Sequence, residues 1–133
     1  MAERVYCLYR GKDQESILMQ KNACHDFAEK KGWNIVGEEQ EIDVSGYKVS
    51  ADTCDKLQRI REAAERGEFD IFLVFMYDRL GRNLNETPFI AKWFTKKGIH
   101  VWSVYEGEII DGVDAERMLD YIRFRQTDEA QKL

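Results

Sequence analysis

Residues 70–82 read DIFLVFMYDRLGR, and the rest of the chain arranges itself around them. The first eight are almost all apolar and rich in aromatic and β-branched types. An apolar run of that length, between Gly67 and Gly81, fits a strand buried on both faces, as in a parallel sheet. It ends abruptly in Asp78, Arg79, Leu80, Gly81 and Arg82, which sets a carboxylate and two guanidiniums at the carboxyl end of a central strand. In open α/β sheets ligands bind at that edge. Two arginines there suit an anion, and phosphate is the first candidate because a guanidinium pairs with it bidentately. The plainer alternative is a charged turn that keeps the end of an apolar strand soluble.

Working outward, the flanking sequence alternates strand and helix patterns, with no internal repeat. Residues 4–10 (RVYCLYR) make a short apolar strand that stops at Arg10-Gly11. Residues 14–31 carry apolar groups at 17, 24, 27 and 28 with Ala23 beside them, which predicts a helix with one buried stripe, closed by Lys30, Lys31 and Gly32. Residues 33–42 (WNIVGEEQEI) form a second, partly exposed strand, and residues 43–51 a loop bending at Ser45-Gly46. Asp52 suits the N-cap of a helix with Leu57, Ile60 and Ala64 inward. After the Arg82 turn, Thr87 caps a helix that opens on Pro88 and presents Phe89, Ile90, Trp93 and Phe94. Residues 99–105 give another strand, 106–112 a turn region, and 114–127 a last helix with apolar groups on more than one side. Strands alternating with amphipathic helices mean βαβ units: an α/β fold, a mostly parallel sheet with helices on both faces.

Composition narrows the class. With 133 residues the chain is expected to be a single domain over 1–133. It has no apolar run long enough for a transmembrane helix and an N-terminus unlike a signal peptide, so no membrane partner is expected. Cys7, Cys24 and Cys54 are odd in number and far apart, which fits free thiols in a reducing, cytoplasmic setting. His25 and His100 are isolated, so no metal site is expected. The net charge of −5 argues against a free-standing nucleic-acid coat protein. It leaves room for a domain that acts on DNA delivered by another.

Four stretches in this order carry a family resemblance: Tyr9-Arg10 at the end of the first strand, residues 16–20 (SILMQ) opening the first helix, Val44-Ser45-Gly46, and DRLGR at 78–82. The chain resembles the N-terminal catalytic domain of serine recombinases, the resolvases, invertases and transposon integrases, and looks closest to those of conjugative and mobile elements. The resemblance implies site-specific DNA recombination. A serine hydroxyl attacks a phosphodiester of double-stranded DNA to give a 5′-phosphoserine, and subunits of a dimer or tetramer built on the last helix exchange and religate. Neither metal nor nucleotide cofactor is implied. Carried over by position, Arg10, Arg79 and Arg82 would clamp the phosphate, with Ser45 also at the DNA. Asp78 would orient an arginine or assist proton transfer. Preorganised guanidiniums are the natural donors for a phosphorane held without a metal.

Two positions depart from the family pattern. The family has arginine, any residue, then the nucleophilic serine; here Arg10 is followed by Gly11, Lys12 and Asp13. Ser16 is the nearest hydroxyl and a candidate substitute, but it matches a serine expected to cap the first helix. Where active members carry an arginine at the start of the second helix, this chain has Cys54. A nucleophilic enzyme does not work without its nucleophile. Either the domain keeps the fold and subunit contacts without cutting, as an interaction module, or a few residues are missing at Arg10-Gly11. The family's DNA-binding region is expected to lie outside this chain. A flavodoxin-like nucleotide or signalling domain is the remaining alternative, without a GxGxxG, a P-loop or a receiver's acidic cluster to support it.

Overall fold

The computed structural model describes residues 3–42, 55–80 and 87–109. In chain order the elements are β1 (Arg4–Gly11), α1 (Gln14–Lys31), β2 (Asn34–Ile42), α2 (Asp55–Glu65), β3 (Ile71–Val74), a 3-10 turn (Tyr77–Arg79), α3 (Thr87–Lys96), β4 (His100–Ser103) and β5 (Gly107–Ile109). The strands form one sheet in the order β2-β1-β3-β4-β5. The first four run parallel and β5 pairs antiparallel with β4. The α/β reading, mostly parallel with helices on both faces, is the architecture observed.

Strand alternation divides the core. On one face Leu8, Phe72, Val74 and Val101 meet Leu57 and Ile60 of α2 and Ile90, Ala91 and Phe94 of α3. The Phe72 and Phe94 rings meet edge to face at 4.6 Å. On the other face Val5, Cys7, Tyr9, Ile71 and Leu73 lie under Ile17 and Cys24 of α1, with Phe27, Trp33 and Trp102 closing the margin. Each large side chain fully removed from water here contributes about 1.5–3 kcal/mol. The helix α1 closes as its sequence suggests. Gly32 adopts φ +74° and its N–H returns to Ala28 and Glu29 carbonyls, a left-handed stop that a residue with a Cβ resists.

Several local expectations are corrected. The apolar run at 70–77 is not one long strand: β3 covers Ile71–Val74 and the chain then bends into the 3-10 turn. Beyond Val74 the backbone finds other partners, with Arg79 N–H bonding Met76 O and Leu80 N–H bonding Tyr77 O. Phe89 is not inward but 75% exposed, because Ile90, Ala91 and Phe94 fix the buried side of α3 and Phe89 lies outside that arc. Part of the 106–112 turn region is the strand β5. Ser16 does not cap α1. Asp13 does, in an extended conformation, its carboxylate accepting the Ser16 N–H at 2.8 Å. The predicted loop over 43–51, the Asp52 cap, Cys54 and the last helix lie outside the described residues.

Candidate active site

The first three parallel strands and α1 bring their ends together at the carboxyl edge of the sheet. β1 runs three residues past the last residue it pairs with β3, which is Leu8 opposite Val74. Its extension, Tyr9 to Gly11, pairs with β2 alone in strand register, Arg10 opposite Glu41. Gln20, fully buried on α1, takes up Arg10's backbone. The Gln20 Oε1 accepts the Arg10 N–H at 3.1 Å and its Nε2 donates to the Arg10 carbonyl at 2.8 Å. The carboxamide thus acts as a substitute peptide group where the neighbouring strand has ended. Buried backbone groups need such partners.

The Arg10 side chain turns inward. The residue is 6% exposed. Its Nη1 donates to the Leu80 carbonyl at 3.1 Å, and its Nη2 lies 3.5 Å from Glu41 Oε2. Arg79 comes from the 3-10 turn and its Nη1 reaches the same Arg10 carbonyl at 3.5 Å. Two of the three arginines singled out by sequence are therefore neighbours, joined through Arg10's carbonyl. The backbone of Asp78 lies in the same turn. Arg82 and Ser45 fall outside the described residues.

Between Arg10 and Ser16 the chain carries no hydroxyl side chain. Gly11 is buried, Lys12 and Asp13 are exposed, and Ser16 is half-buried in the first turn of α1. The space beside Gly11 is filled by Ser16 itself: a Cβ at Gly11 would fall 2.5 Å from Ser16 Oγ and 2.9 Å from its Cβ. Gln20 Nε2 also donates to Ser16 Oγ, at 3.3 Å. The tyrosine one residue before Arg10 offers no substitute. Burial first, then the neighbouring Cys7, raises the Tyr9 phenol well above its usual range, and its O–H is given to Glu38 at 2.6 Å. A buried, neutral phenol is a poor nucleophile.

Glu38 also lies 2.7 Å from His25 Nε2. Burial pushes its carboxyl up, but the hydrogen bonds from Tyr9 and His25 outweigh that and leave it below the ordinary value. The group ties α1, β1 and β2 together beside the site. Among the described residues no three His, Cys, Asp or Glu side chains gather to hold a metal ion, and no helix is long and apolar enough to cross a membrane. Sequence reasoning gives no role to Gln20 or Glu41. Gln20 enters the sequence reading only as the end of the 16–20 stretch; the signal that marks it is its place on the buried stripe 17, 20, 24, 28 of α1. Glu41 gives no such signal, since glutamates fill positions 38, 39 and 41 alike.

Comparison with known proteins bears on the family and the fold. The family described as "Resolvase, N terminal domain" matches residues 10–130. No curated protein matches the chain. Among solved structures, the N-terminal catalytic domain of TP901-1 integrase superposes with a TM-score of 0.72 at 23% identity, covering 98% of this chain and 100% of that one. A resolvase family site-specific recombinase from Streptococcus pneumoniae gives 0.73 at 19% identity, covering 98% and 92%. The C-terminal catalytic domain of ISC1926 TnpA, an IS607-like serine recombinase, gives 0.65 at 22%, covering 78% and 71%. These structural likenesses speak for the fold, and the match over 10–130 for the lineage: the chain belongs to the resolvase N-terminal domain family, the catalytic domains of serine recombinases.

Proposed function

We propose that this domain serves site-specific DNA recombination as a phosphate-holding, subunit-assembling member that does not itself cut DNA. The single observation that carries the reading is the end of β1, where Arg10 is followed by a buried glycine against which Ser16 is packed. Strand cleavage through a phosphoserine needs a hydroxyl free to approach phosphorus in line with the leaving oxygen. Ser16 Oγ is instead turned toward Gly11 and Gln20.

What the site keeps is positive charge. Arg79 stands at the carboxyl edge of the sheet beside Arg10, and Arg82 follows three residues on in sequence. In this reading Arg79 and Arg82 meet a phosphate of double-stranded DNA, and Arg10 joins them by exchanging Glu41 for that phosphate. Asp78 orients an arginine, and Ser45 contacts the backbone. Assembly as a dimer or tetramer through the last helix, in the cytoplasm and alongside an active relative, belongs to the same proposal. No metal or nucleotide enters it.

The test is a covalent-trapping assay with a nicked duplex that prevents religation. Denaturing electrophoresis should show no protein–DNA adduct at any protein concentration, while a labelled duplex still binds at low salt and is released as salt rises. An adduct that disappears in Ser16→Ala would replace this reading with an active recombinase using Ser16.

A further inference from the structure

Glu106 belongs to none of the motifs that carry the family resemblance, yet it grips the turn on which Arg79 sits. The 3-10 turn Tyr77–Arg79 starts from Met76, which is extended and gives the turn no side-chain cap. The first N–H of a helical turn has no partner within the turn. Here the acceptor comes from the β4–β5 connection: the Tyr77 N–H faces both carboxylate oxygens of Glu106, at 3.4 and 3.3 Å.

The carboxylate is itself held. The Ser103 hydroxyl, buried at the end of β4, donates to Glu106 Oε1 at 3.2 Å and accepts the Glu106 N–H at 2.7 Å. One residue on, the Tyr77 hydroxyl donates to the Gly107 carbonyl. Backbone bonds from Val104 to Val74 and from Tyr105 to Phe75 fasten the same connection to the end of β3. The arginine turn is thus braced from outside by a side chain 29 residues away in sequence.

We infer that Glu106 is the positioning residue of the Arg79 turn: its carboxylate caps Tyr77 and so fixes where the Arg79 guanidinium meets an anion. The inference rests on the proposed phosphate-holding role of Arg79. A carboxylate suits the task because an anionic acceptor strengthens each hydrogen bond it takes, and two oxygens serve one N–H and one hydroxyl together. Glutamine keeps one acceptor, so it restores part of the effect.

The test joins two measurements. Amide hydrogen exchange by NMR reads the turn without DNA. In Glu106→Ala the Tyr77, Arg79 and Leu80 amides should exchange about tenfold faster or more, the Ile71–Val74 amides should keep their protection, and Glu106→Gln should be intermediate. Fluorescence anisotropy with a short labelled DNA duplex at low salt reads the consequence. Arg79→Ala should weaken binding about tenfold and Glu106→Ala by a smaller factor, with the double variant no weaker than Arg79→Ala alone. Unchanged turn amides in Glu106→Ala overturn the inference, as does a binding loss that adds to that of Arg79→Ala. If Arg79→Ala itself binds like the wild type, the proposed function fails, and the exchange data still decide separately whether Glu106 holds the turn. Should Glu106→Ala not fold, Ser103→Ala removes the donor to the same carboxylate and must shift the same amides by a smaller amount.

Discussion

Replacing Gln20 by alanine removes the carboxamide that completes the sheet beside Arg10. Two backbone groups of a 6% exposed residue lose partners, the Arg10 N–H at 3.1 Å and the Arg10 carbonyl at 2.8 Å. The N–H is left unsatisfied at about 1–3 kcal/mol, whereas the carbonyl keeps its longer bond from Arg79 at 3.5 Å and loses about 0.5–1.5 kcal/mol, so the polar loss is about 3 kcal/mol at mid-range. The emptied volume adds about 1 kcal/mol. Freeing a side chain that folding had immobilised returns about 1.5–2 kcal/mol. The balance is a loss of about 2 kcal/mol, a sizeable share of the roughly 5–15 kcal/mol that holds a domain folded. Urea unfolding followed by tryptophan fluorescence and far-UV circular dichroism measures it. Gln20→Met keeps the volume without the polar atoms, so it should lose nearly as much and separates hydrogen bonding from the cavity. A Gln20→Ala variant within about 1 kcal/mol of wild type would refute the reasoning, because it would mean that water or other groups replace the carboxamide at no cost.

Three further expectations follow from the same structure. Gly37→Ala would set a Cβ 2.4 Å from the Tyr6 ring, which Phe69 and a hydrogen bond to Glu39 hold in place; a loss of about 2 kcal/mol is expected by urea titration, and a neutral variant would contradict the packing. Gly11→Ala should destabilise the fold by about 1–3 kcal/mol through the Ser16 contact, and adding Ser16→Gly should recover part of it; strict additivity in the cycle would show that the two sites do not touch. The folded Glu38 carboxyl is held below its ordinary value of 4.5, so its contribution is present above the unfolded value and fades as pH falls through the folded one. Glu38→Gln should therefore flatten the acid limb of a stability–pH profile, and an unchanged limb would remove Glu38 from the account.

Periodicity and punctuation in the sequence determined most of the framework. The apolar run after Gly67, the stripe on residues 14–31 and the glycine stops were enough for the βαβ order, because burial and backbone geometry act locally and leave local marks. The same holds for the missing hydroxyl after Arg10, which is a matter of residue identity. What only the tertiary structure decided are contacts between distant segments. Buried Gln20 was legible as a position on the α1 stripe but not as the partner of Arg10's backbone, since that role exists only because β3 ends early. The inward turn of Arg10 toward Glu41 and Leu80 depends on three elements meeting, and so does the brace from Glu106 to Tyr77. The strand at 70–77 is shorter than its pattern suggests for the same reason: seven apolar residues after Asp70 satisfy a strand pattern, but Glu106 and the β4–β5 connection offer the backbone other partners after Val74. Hydrophobic pattern is a property of each segment, whereas the pairing of a buried polar group is a property of whatever the fold brings beside it.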